Sequence, residues 1–195
     1  MAERTDIMQD YSSLSPAELR AKFRTGELVL PTAGLCPGYI QGNLVILHRR
    51  YGEDFLQFMK QNPKPCPILE VFDQGSPISH KMAEGADITT DIPLYRIYRN
   101  GVFEEEVKDV SGYWNEDMVG FLIGCSLTFE SRLVEAGIPL KHYEENKRVP
   151  MFDTNIACKP SKLFHGNYVV SMRPVKKELV DLAVKITEPM DYAHG

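Results

Sequence analysis

Three prolines at alternate positions, Pro63, Pro65 and Pro67, constrain this chain more than any other short feature. Proline lacks an amide hydrogen and disfavours helical geometry in the residue before it, so residues 62–67 cannot be helical. The segment before them, 53–59, has apolar residues at helical spacing, and the segment after them, 68–72, is a short apolar run. We therefore predict a helix, an extended proline segment and a strand, in that order.

Local signals place a helix and a hairpin elsewhere. Ser15 and Glu18 form a capping box with Pro16 at the first helical position, which predicts a helix over 15–25. Asn100-Gly101 suits the positive φ angles of a type I′ turn and predicts a hairpin over 94–103. Further strands are expected at 43–47, 149–156 and 168–172, and further helices at 115–123, 127–136 and 175–187.

The order of these segments predicts the fold class. Strands and helices alternate except at the hairpin, which indicates an α/β fold with a mixed sheet flanked by helices and an inserted β-hairpin. A single domain over 1–195 is expected, with room for a small subdomain around 73–110. The loop 73–91 is long for a compact domain, and such loops are often functional.

Composition restricts the partners of the chain. A net charge of −5 with 25% charged residues argues against nucleic acid as a partner, while leaving room for a small anionic ligand held by local arginines. No apolar run reaches the length of a membrane span, and the first six residues do not resemble a secretory signal. Four widely spaced cysteines favour reduced thiols and a cytoplasmic location. A homo-oligomer is left open.

The segment Gly124-Cys125-Ser126, lying between two helical patterns, is the first candidate site. A helix start offers free amide groups that favour an anion and lower a thiol pKa, so Cys125 and Ser126 are candidates for catalysis and substrate binding. Glu130 follows Ser126 by four residues and falls on the same helical face, which makes it the acid/base candidate. The alternative is that Ser126 caps a helix while Cys125 is a small buried apolar residue.

Two further stretches offer polar side chains for a ligand. Thr154 and Asn155 are expected at the end of a strand, where ligand groups are common in α/β sheets, although a local turn explains them equally well. Arg173 is a candidate partner for a substrate carboxylate, with a surface charge as its alternative. Tyr39 and Asn43 could orient a polar ligand or simply belong to a flexible loop.

Several familiar chemistries are not indicated. The histidines show no spacing typical of a metal site, and no phosphate-binding or dinucleotide-binding glycine motif occurs. We therefore predict neither a metal nor a cofactor.

Five ordered stretches together resemble a known family. They are 37–43 (PGYIQGN), 62–67 (NPKPCP), 121–126 (FLIGCS) with Phe129-Glu130, 149–155 (VPMFDTN) and 170–174 (VSMRP). In that order they resemble the D-glutamate cyclase and hydro-lyase family, and the resemblance runs from about residue 15 to the end of the chain. It implies a mixed α/β fold and, for the cyclase members, conversion of D-glutamate to 5-oxo-D-proline with loss of water.

The resemblance leaves the catalytic residues unassigned, so the site residues rest on the position of the motifs. Cys125, Glu130 and Asn155 are the predicted catalytic residues, and Tyr39, Asn43, Ser126, Thr154 and Arg173 the predicted substrate-binding residues. The predicted function is that of a hydro-lyase acting on a small amino or hydroxy acid. The alternatives are a module that binds a small carboxylate without turnover and a different dehydration of a hydroxy acid. Proteins of the family usually continue beyond Gly195, so a further C-terminal segment is expected in them.

Overall fold

The computed structural model describes Tyr11 and residues 13–195 of the chain. The polar stretch at 1–6, from which no secretory signal is predicted, lies outside the described residues. The helices are α1 (Pro16–Arg24), α2 (Gly52–Gln61), α3 (Glu130–Glu135), α4 (Lys141–Glu144) and α5 (Val180–Thr187). The strands are β1 (Gly42–His48), β2 (Ile68–Phe72), β3 (Tyr95–Arg99), β4 (Val102–Val107), β5 (Met118–Gly124), β6 (Met151–Ala157) and β7 (Asn167–Ser171).

A three-stranded antiparallel sheet with the order β1-β5-β2 carries one of the hydrophobic core clusters. In this sheet Gly42 of β1 lies opposite Gly124 of β5, so the first residue of β1 and the last residue of β5 lie side by side at the same end of the two strands. Helix α2 covers the sheet, where its fully buried Met59 packs with Val119 and Phe121 of β5. The sheet thereby brings the end of β5 next to the start of β1.

The helix expected over 115–123 is wrong, because these residues form β5. Val119, Phe121 and Ile123 belong to a continuous apolar run, and such a run does not distinguish a buried strand from a buried helix. Pairing decides the outcome. Strands β1 and β2 bind β5 on its two edges, and both come from far earlier in the chain.

The proline segment also differs from expectation. Residues 62–67 are not helical, as predicted, but they form a turn rather than an extended stretch. The amide of Cys66 donates to the carbonyl of Asn62 at 3.0 Å. The buried side chain of Asn62 fixes this turn, since its Nδ2 donates to the carbonyls of Phe58 and Lys159 and its Oδ1 accepts from the Lys159 amide. The chain therefore reverses before it enters β2.

Two hairpins stand beside the sheet. The predicted hairpin is confirmed as β3 and β4, with positive φ angles of 52° at Asn100 and 78° at Gly101. The strands expected near 149–156 and 168–172 are confirmed as β6 and β7, which pair antiparallel. The combination of helices and strands confirms the α/β class, and each ladder between the described strands is antiparallel.

The helix predictions at the two ends of the chain have different outcomes. The capping box at Ser15 is confirmed, because its hydroxyl accepts from the Glu18 amide while the Glu18 carboxylate accepts from the Ser15 amide. The helix expected over 175–187 is shorter than predicted. A 3₁₀ turn occupies Lys177–Leu179, and only α5 is α-helical. No helix in the described part of the chain is both long and apolar enough to cross a membrane.

The long loop 73–91 is ordered around the buried carboxylate of Glu70. This carboxylate accepts hydrogen bonds from the Ser79 hydroxyl at 2.7 Å and from the amides of His80 at 2.8 Å and Met82 at 3.0 Å. Burial by itself would raise the pKa of Glu70, but these donors outweigh burial and hold the pKa below its usual range. The loop is therefore fastened to β2 by its own amide groups.

An ion pair fastens the end of the same loop to α1. The buried carboxylate of Asp91 accepts from Nε and Nη2 of Arg24, each at 2.7 Å. Burial alone would raise the pKa of Asp91, but the hydrogen bonds from Arg24, together with those from the Asp87 amide and the Thr90 hydroxyl, outweigh burial and hold the pKa below its usual range. A lowered folded-state pKa contributes stability that is complete above the unfolded pKa of about 3.9 and disappears as the pH falls through the folded value.

We expect Asp91→Asn to lower the free energy of unfolding by about 2 kcal/mol at pH 7. Below the folded-state pKa of Asp91 the loss becomes small, because the native carboxyl is then protonated as well. Urea unfolding at pH 7 and at the lowest pH where the fold persists measures the difference, with the exposed Asp153→Asn as the matched control. An equal loss at both pH values would contradict the ion-pair account.

Candidate active site

The candidate site is built at the corner where β5 passes into α3. The amide of Gly124 donates to the Pro67 carbonyl at 2.9 Å, and the amide of Cys125 donates to the Gln41 carbonyl at 3.1 Å. A 3₁₀ turn over Ser126–Phe129 then leads into α3. The prediction that this glycine separates two helices is therefore wrong, since it ends a strand. The corner is held from both sides by residues that flank β1 and β2.

Gly124 is required at the corner because a neighbouring segment contacts its backbone closely. A Cβ at this position would lie 1.8 Å from the carbonyl oxygen of Tyr192. His194 completes the contact, with Nε2 2.8 Å from the Gly124 carbonyl and Nδ1 2.8 Å from the Lys64 carbonyl. The segment 190–195 thus packs directly behind the candidate site.

Glu130, the first residue of α3, is the most buried acidic residue of the corner, with a residue exposure of 0%. Its Oε1 accepts from Nε of Arg173 at 2.8 Å and lies 2.6 Å from Nη2 of the same guanidinium. Its Oε2 accepts from the hydroxyl of Tyr143 at 2.8 Å. A charge buried this deeply is tolerated only when it is paired, and Arg173 supplies the pair.

Arg173 links Glu130 to two serine hydroxyls. Its Nη2 donates to Ser126 Oγ at 3.0 Å and its Nη1 donates to Ser171 Oγ at 2.9 Å, while the two hydroxyls lie 3.3 Å apart. The guanidinium carbon lies 5.0 Å from the centre of the Phe129 ring, a favourable cation–π distance. Arg173 is therefore held in one orientation, and its positive charge lies next to the hydroxyls of Ser126 and Ser171.

His142 is the fourth member of the group. It is 6% exposed, and its Nε2 lies 3.0 Å from Glu130 Oε1. This distance is that of an ion pair, but the ring nitrogen is not aligned for a hydrogen bond and has none in the structure. The Tyr143 ring meets the imidazole edge to face, with 4.8 Å between ring centres.

These groups line a broad, open cleft of about 1950 Å³. Six of the eight predicted site residues line it, namely Tyr39, Asn43, Cys125, Ser126, Glu130 and Arg173. Tyr39 is 55% exposed and therefore open to a ligand. The structure also corrects the capping interpretation of Ser126, since no side-chain cap is present at this turn and the hydroxyl binds Arg173 instead.

Thr154 and Asn155 lie elsewhere, and neither is among the residues that line the cleft. The expectation that they end a strand is wrong, because β6 continues to Ala157. Its ladder with β7 is irregular between Asp153 and Ala157, and the Thr154 hydroxyl fills this gap by donating to the Tyr168 carbonyl at 2.8 Å. The local hydrogen-bonding alternative describes Thr154 better than ligand binding does.

Three residues of the group were not predicted from the sequence. His142 and Tyr143 lie in a four-residue helix without a clear pattern, and Ser171 appeared only as part of a strand. Glu130 is the sequence signal that could have indicated such partners, because a carboxylate on an apolar helix face needs hydrogen-bond donors. Among the residues that the structure describes, no group of three or more His, Cys, Asp or Glu could hold a metal ion.

Comparison with known proteins identifies the family. A family model described as "D-glutamate cyclase" matches residues 119–195, which contain Gly124, Glu130 and Arg173. A protein of Thermoanaerobacter sp. (strain X514) named "Putative hydro-lyase" is 52% identical over 186 residues, which cover 95% of this chain and 70% of that protein. The chain belongs to the D-glutamate cyclase and hydro-lyase family. The resemblance seen in the five sequence stretches is thereby confirmed.

Other members of the family match over a similar range. A "Putative hydro-lyase" of Stutzerimonas stutzeri is 51% identical over 185 residues, covering 95% of this chain and 70% of that protein. Another, from Clostridium beijerinckii, is 50% identical over 186 residues, with 95% and 71% covered. The predicted class of lyase that releases water is confirmed at the level of the family.

Proposed function

We propose that this chain cyclises D-glutamate to 5-oxo-D-proline with release of water in the cleft beside Glu130. The observation that carries the proposal is the buried Glu130–Arg173 pair, which shares a corner with the Ser126 and Ser171 hydroxyls and the Cys125 thiol. A site for a small dicarboxylate needs a fixed cation, hydroxyl donors and a group that moves protons. The corner around Glu130 and Arg173 offers candidates for all three.

The chemistry sets clear demands. The amine nitrogen forms a bond to the γ-carboxyl carbon, and one carboxyl oxygen leaves as water. In the ammonium carboxylate form of the substrate, both protons of that water come from the nitrogen, so the site moves protons from nitrogen to oxygen without a net gain or loss. At pH 7, protonating a carboxyl with an ordinary pKa of about 4.3 costs ~3.7 kcal/mol, which a site with well-placed donors reduces.

The proposed roles follow from position. Arg173 and Ser126 bind a substrate carboxylate in this proposal, because both line the cleft. Glu130 fixes the guanidinium and takes part in proton transfer, with Cys125 as the neighbouring thiol at the cleft wall. Tyr39 and Asn43 contact the part of the ligand nearest to the start of β1. Asn155, which lies away from the cleft, is left without a role in this proposal.

The test is to incubate the chain with D-glutamate and to separate 5-oxo-D-proline by chiral chromatography with mass detection. L-Glutamate serves as the stereochemical control, and the Clostridium beijerinckii relative serves as a parallel enzyme sample. We expect 5-oxo-D-proline to accumulate above the uncatalysed rate. A folded chain that leaves D-glutamate unchanged while the relative converts it would contradict the proposal for this protein.

A second candidate, binding of a small carboxylate without turnover, is favoured by one observation. Glu130 is fully buried and already bound to Arg173 and Tyr143, as expected of a residue that only holds the arginine in place. Isothermal titration with D-glutamate and with 5-oxo-D-proline, run beside the turnover assay, distinguishes the two. Binding without conversion would favour the module.

The Cys125→Ala variant distinguishes the same two candidate functions, cyclisation and binding without turnover, by removing the thiol. If the thiol moves a proton during cyclisation, we expect turnover to fall by roughly 10²-fold while binding of D-glutamate stays within threefold. Cys66→Ala is the matched control, because Cys66 is not among the residues that line the cleft and burial raises the pKa of its thiol. Full turnover by the Cys125 variant would remove the thiol from the mechanism.

A further inference from the structure

The positive charge of Arg173 is already balanced inside the candidate site. Its Nε and Nη2 contact Oε1 of Glu130 at 2.8 and 2.6 Å, so the pair carries no net charge. D-Glutamate carries one ammonium and two carboxylate groups, which leaves it with one negative charge. A charge that is removed from water without a partner costs free energy. Binding of a dicarboxylate in this cleft therefore requires a second cation that is not already paired.

Arg148 is a cation of the cleft wall that is not engaged elsewhere. Within the part of the chain that the structure describes, it is the one lysine or arginine of this wall whose side chain has neither an ion pair nor a hydrogen bond. Its side chain is exposed and thus open to a ligand. The other cations that line the cleft each have a partner, and they are Arg20, Lys64, Arg96, Arg99, Lys147 and Arg173.

The backbone on either side of Arg148 is fastened to the segments that form the site. The amide of Lys147 donates to the His142 carbonyl at 2.7 Å, and the carbonyl of Pro150 accepts from the amide of Met172 at 3.0 Å. Met172 directly precedes the buried arginine of the site. Because consecutive Cα atoms are about 3.8 Å apart, the Cα of Arg148 lies within about 7 Å of both anchored residues. Its position is therefore defined by the same two segments that surround the buried pair.

The chemistry of cyclisation indicates which carboxylate suits each arginine. An unpaired cation stabilises the charged form of a carboxyl group and lowers its pKa, which opposes the departure of an oxygen as water. Such a cation suits the α-carboxylate, which does not react. The γ-carboxyl group must lose an oxygen, and it is better matched by Arg173, whose charge is offset by Glu130, and by the hydroxyl of Ser126 as a donor.

We propose that Arg148 binds the α-carboxylate of D-glutamate, while Arg173 and Ser126 hold its γ-carboxyl group. The proposal rests on the proposed cyclisation and names a residue that selects the substrate. Because 5-oxo-D-proline keeps the α-carboxylate, Arg148 contributes to the binding of substrate and product alike. No proton moves through Arg148, so its loss weakens binding and leaves the chemical step in place.

The experiment compares two ligands that differ in one group. 4-Aminobutanoate keeps the amine and the reacting carboxylate of glutamate but lacks the α-carboxylate. In isothermal titration we expect the wild-type chain to bind it at least fivefold more weakly than D-glutamate. Arg148→Gln should weaken D-glutamate roughly five- to tenfold, remove most of the preference over 4-aminobutanoate, and be partly rescued by Arg148→Lys. A preference that is unchanged in Arg148→Gln would overturn the proposal.

Lys147→Gln is the matched control. It removes the same charge from the neighbouring position of the cleft wall, but the ammonium of Lys147 is paired with Glu145 at 2.8 Å. We expect its affinity for D-glutamate to stay within twofold of the wild-type chain. Equal weakening by the two variants would show that only the overall charge matters and would overturn the role of Arg148. Thermal unfolding checks that both variants are folded.

Turnover separates this proposal from the proposed function. With D-glutamate as substrate, we expect Arg148→Gln to raise KM roughly five- to tenfold and to leave kcat within threefold. If the wild-type chain binds D-glutamate through Arg148 without converting it, the cyclisation fails and the assignment of Arg148 stands. If conversion occurs and KM is unchanged in Arg148→Gln, the cyclisation stands and the assignment fails. A wild-type chain that binds no D-glutamate would overturn both.

Discussion

Replacing Glu130 by alanine is expected to lower the free energy of unfolding by about 3–5 kcal/mol, because it leaves the guanidinium of Arg173 buried without its carboxylate. The side chains of Glu130 and Arg173 are 1% and 10% exposed, so water cannot replace the lost partner fully. In a chain of this size, the loss corresponds to a fall in Tm of about 10 °C. Urea unfolding followed by circular dichroism measures it.

Two comparisons make this prediction specific. Glu130→Gln keeps the shape and one acceptor oxygen, so we expect a smaller loss of about 2 kcal/mol. Glu104→Ala removes an acid from the exposed Arg99–Glu104 pair and should change stability by less than about 1 kcal/mol. Equal losses for Glu130→Ala and Glu104→Ala would show that the buried pair does not stabilise the fold.

The second large effect is expected at Gly124. Alanine there would place its Cβ 1.8 Å from the Tyr192 carbonyl, so either β5 or the segment 190–195 must move. We expect a loss of about 3 kcal/mol or more, since backbone atoms rather than a flexible side chain stand in the way. Because Cys125 and Ser126 follow directly, the candidate site should be disturbed together with the fold.

Hydrogen exchange locates the disturbance caused by Gly124→Ala. We expect faster exchange at the amides of Ala193 and Gly195, which donate to the Met190 carbonyl in the native chain. Gly112→Ala is the matched control, since a Cβ at Gly112 would meet no atom within 4 Å. Unchanged exchange in the 190–195 segment with normal stability would contradict the close packing behind the site.

The sequence predicted those parts of the fold that depend on local chemistry. The capping box at Ser15 and the Asn100-Gly101 turn depend on residues within a few positions of each other, and both are confirmed. Strand β5 was mistaken for a helix because its identity depends on pairing with β1 and β2, which are distant in the sequence. An apolar run carries no information about partners so far away.

The candidate site was predictable to a similar extent. Glu130 and Ser126 followed from spacing, and Arg173 from its place after a strand, and the structure brings all three together. Their contact was not predictable, because Arg173 follows β7 and is more than 40 positions away from Glu130 in the sequence. His142 carried no sequence signal, since its importance arises only from its distance to Glu130.

The most direct test of the account is the turnover of D-glutamate by Arg173→Lys beside Arg132→Lys. Lysine lacks the planar fork with which Arg173 contacts Glu130 through Nε and Nη2 while Nη1 donates to Ser171, so we expect conversion to 5-oxo-D-proline to fall by roughly 10²-fold. Arg132 is exposed on α3 and lies away from the cleft, so its variant should match the wild-type chain. Equal turnover by both variants would contradict a catalytic site at the Glu130–Arg173 corner.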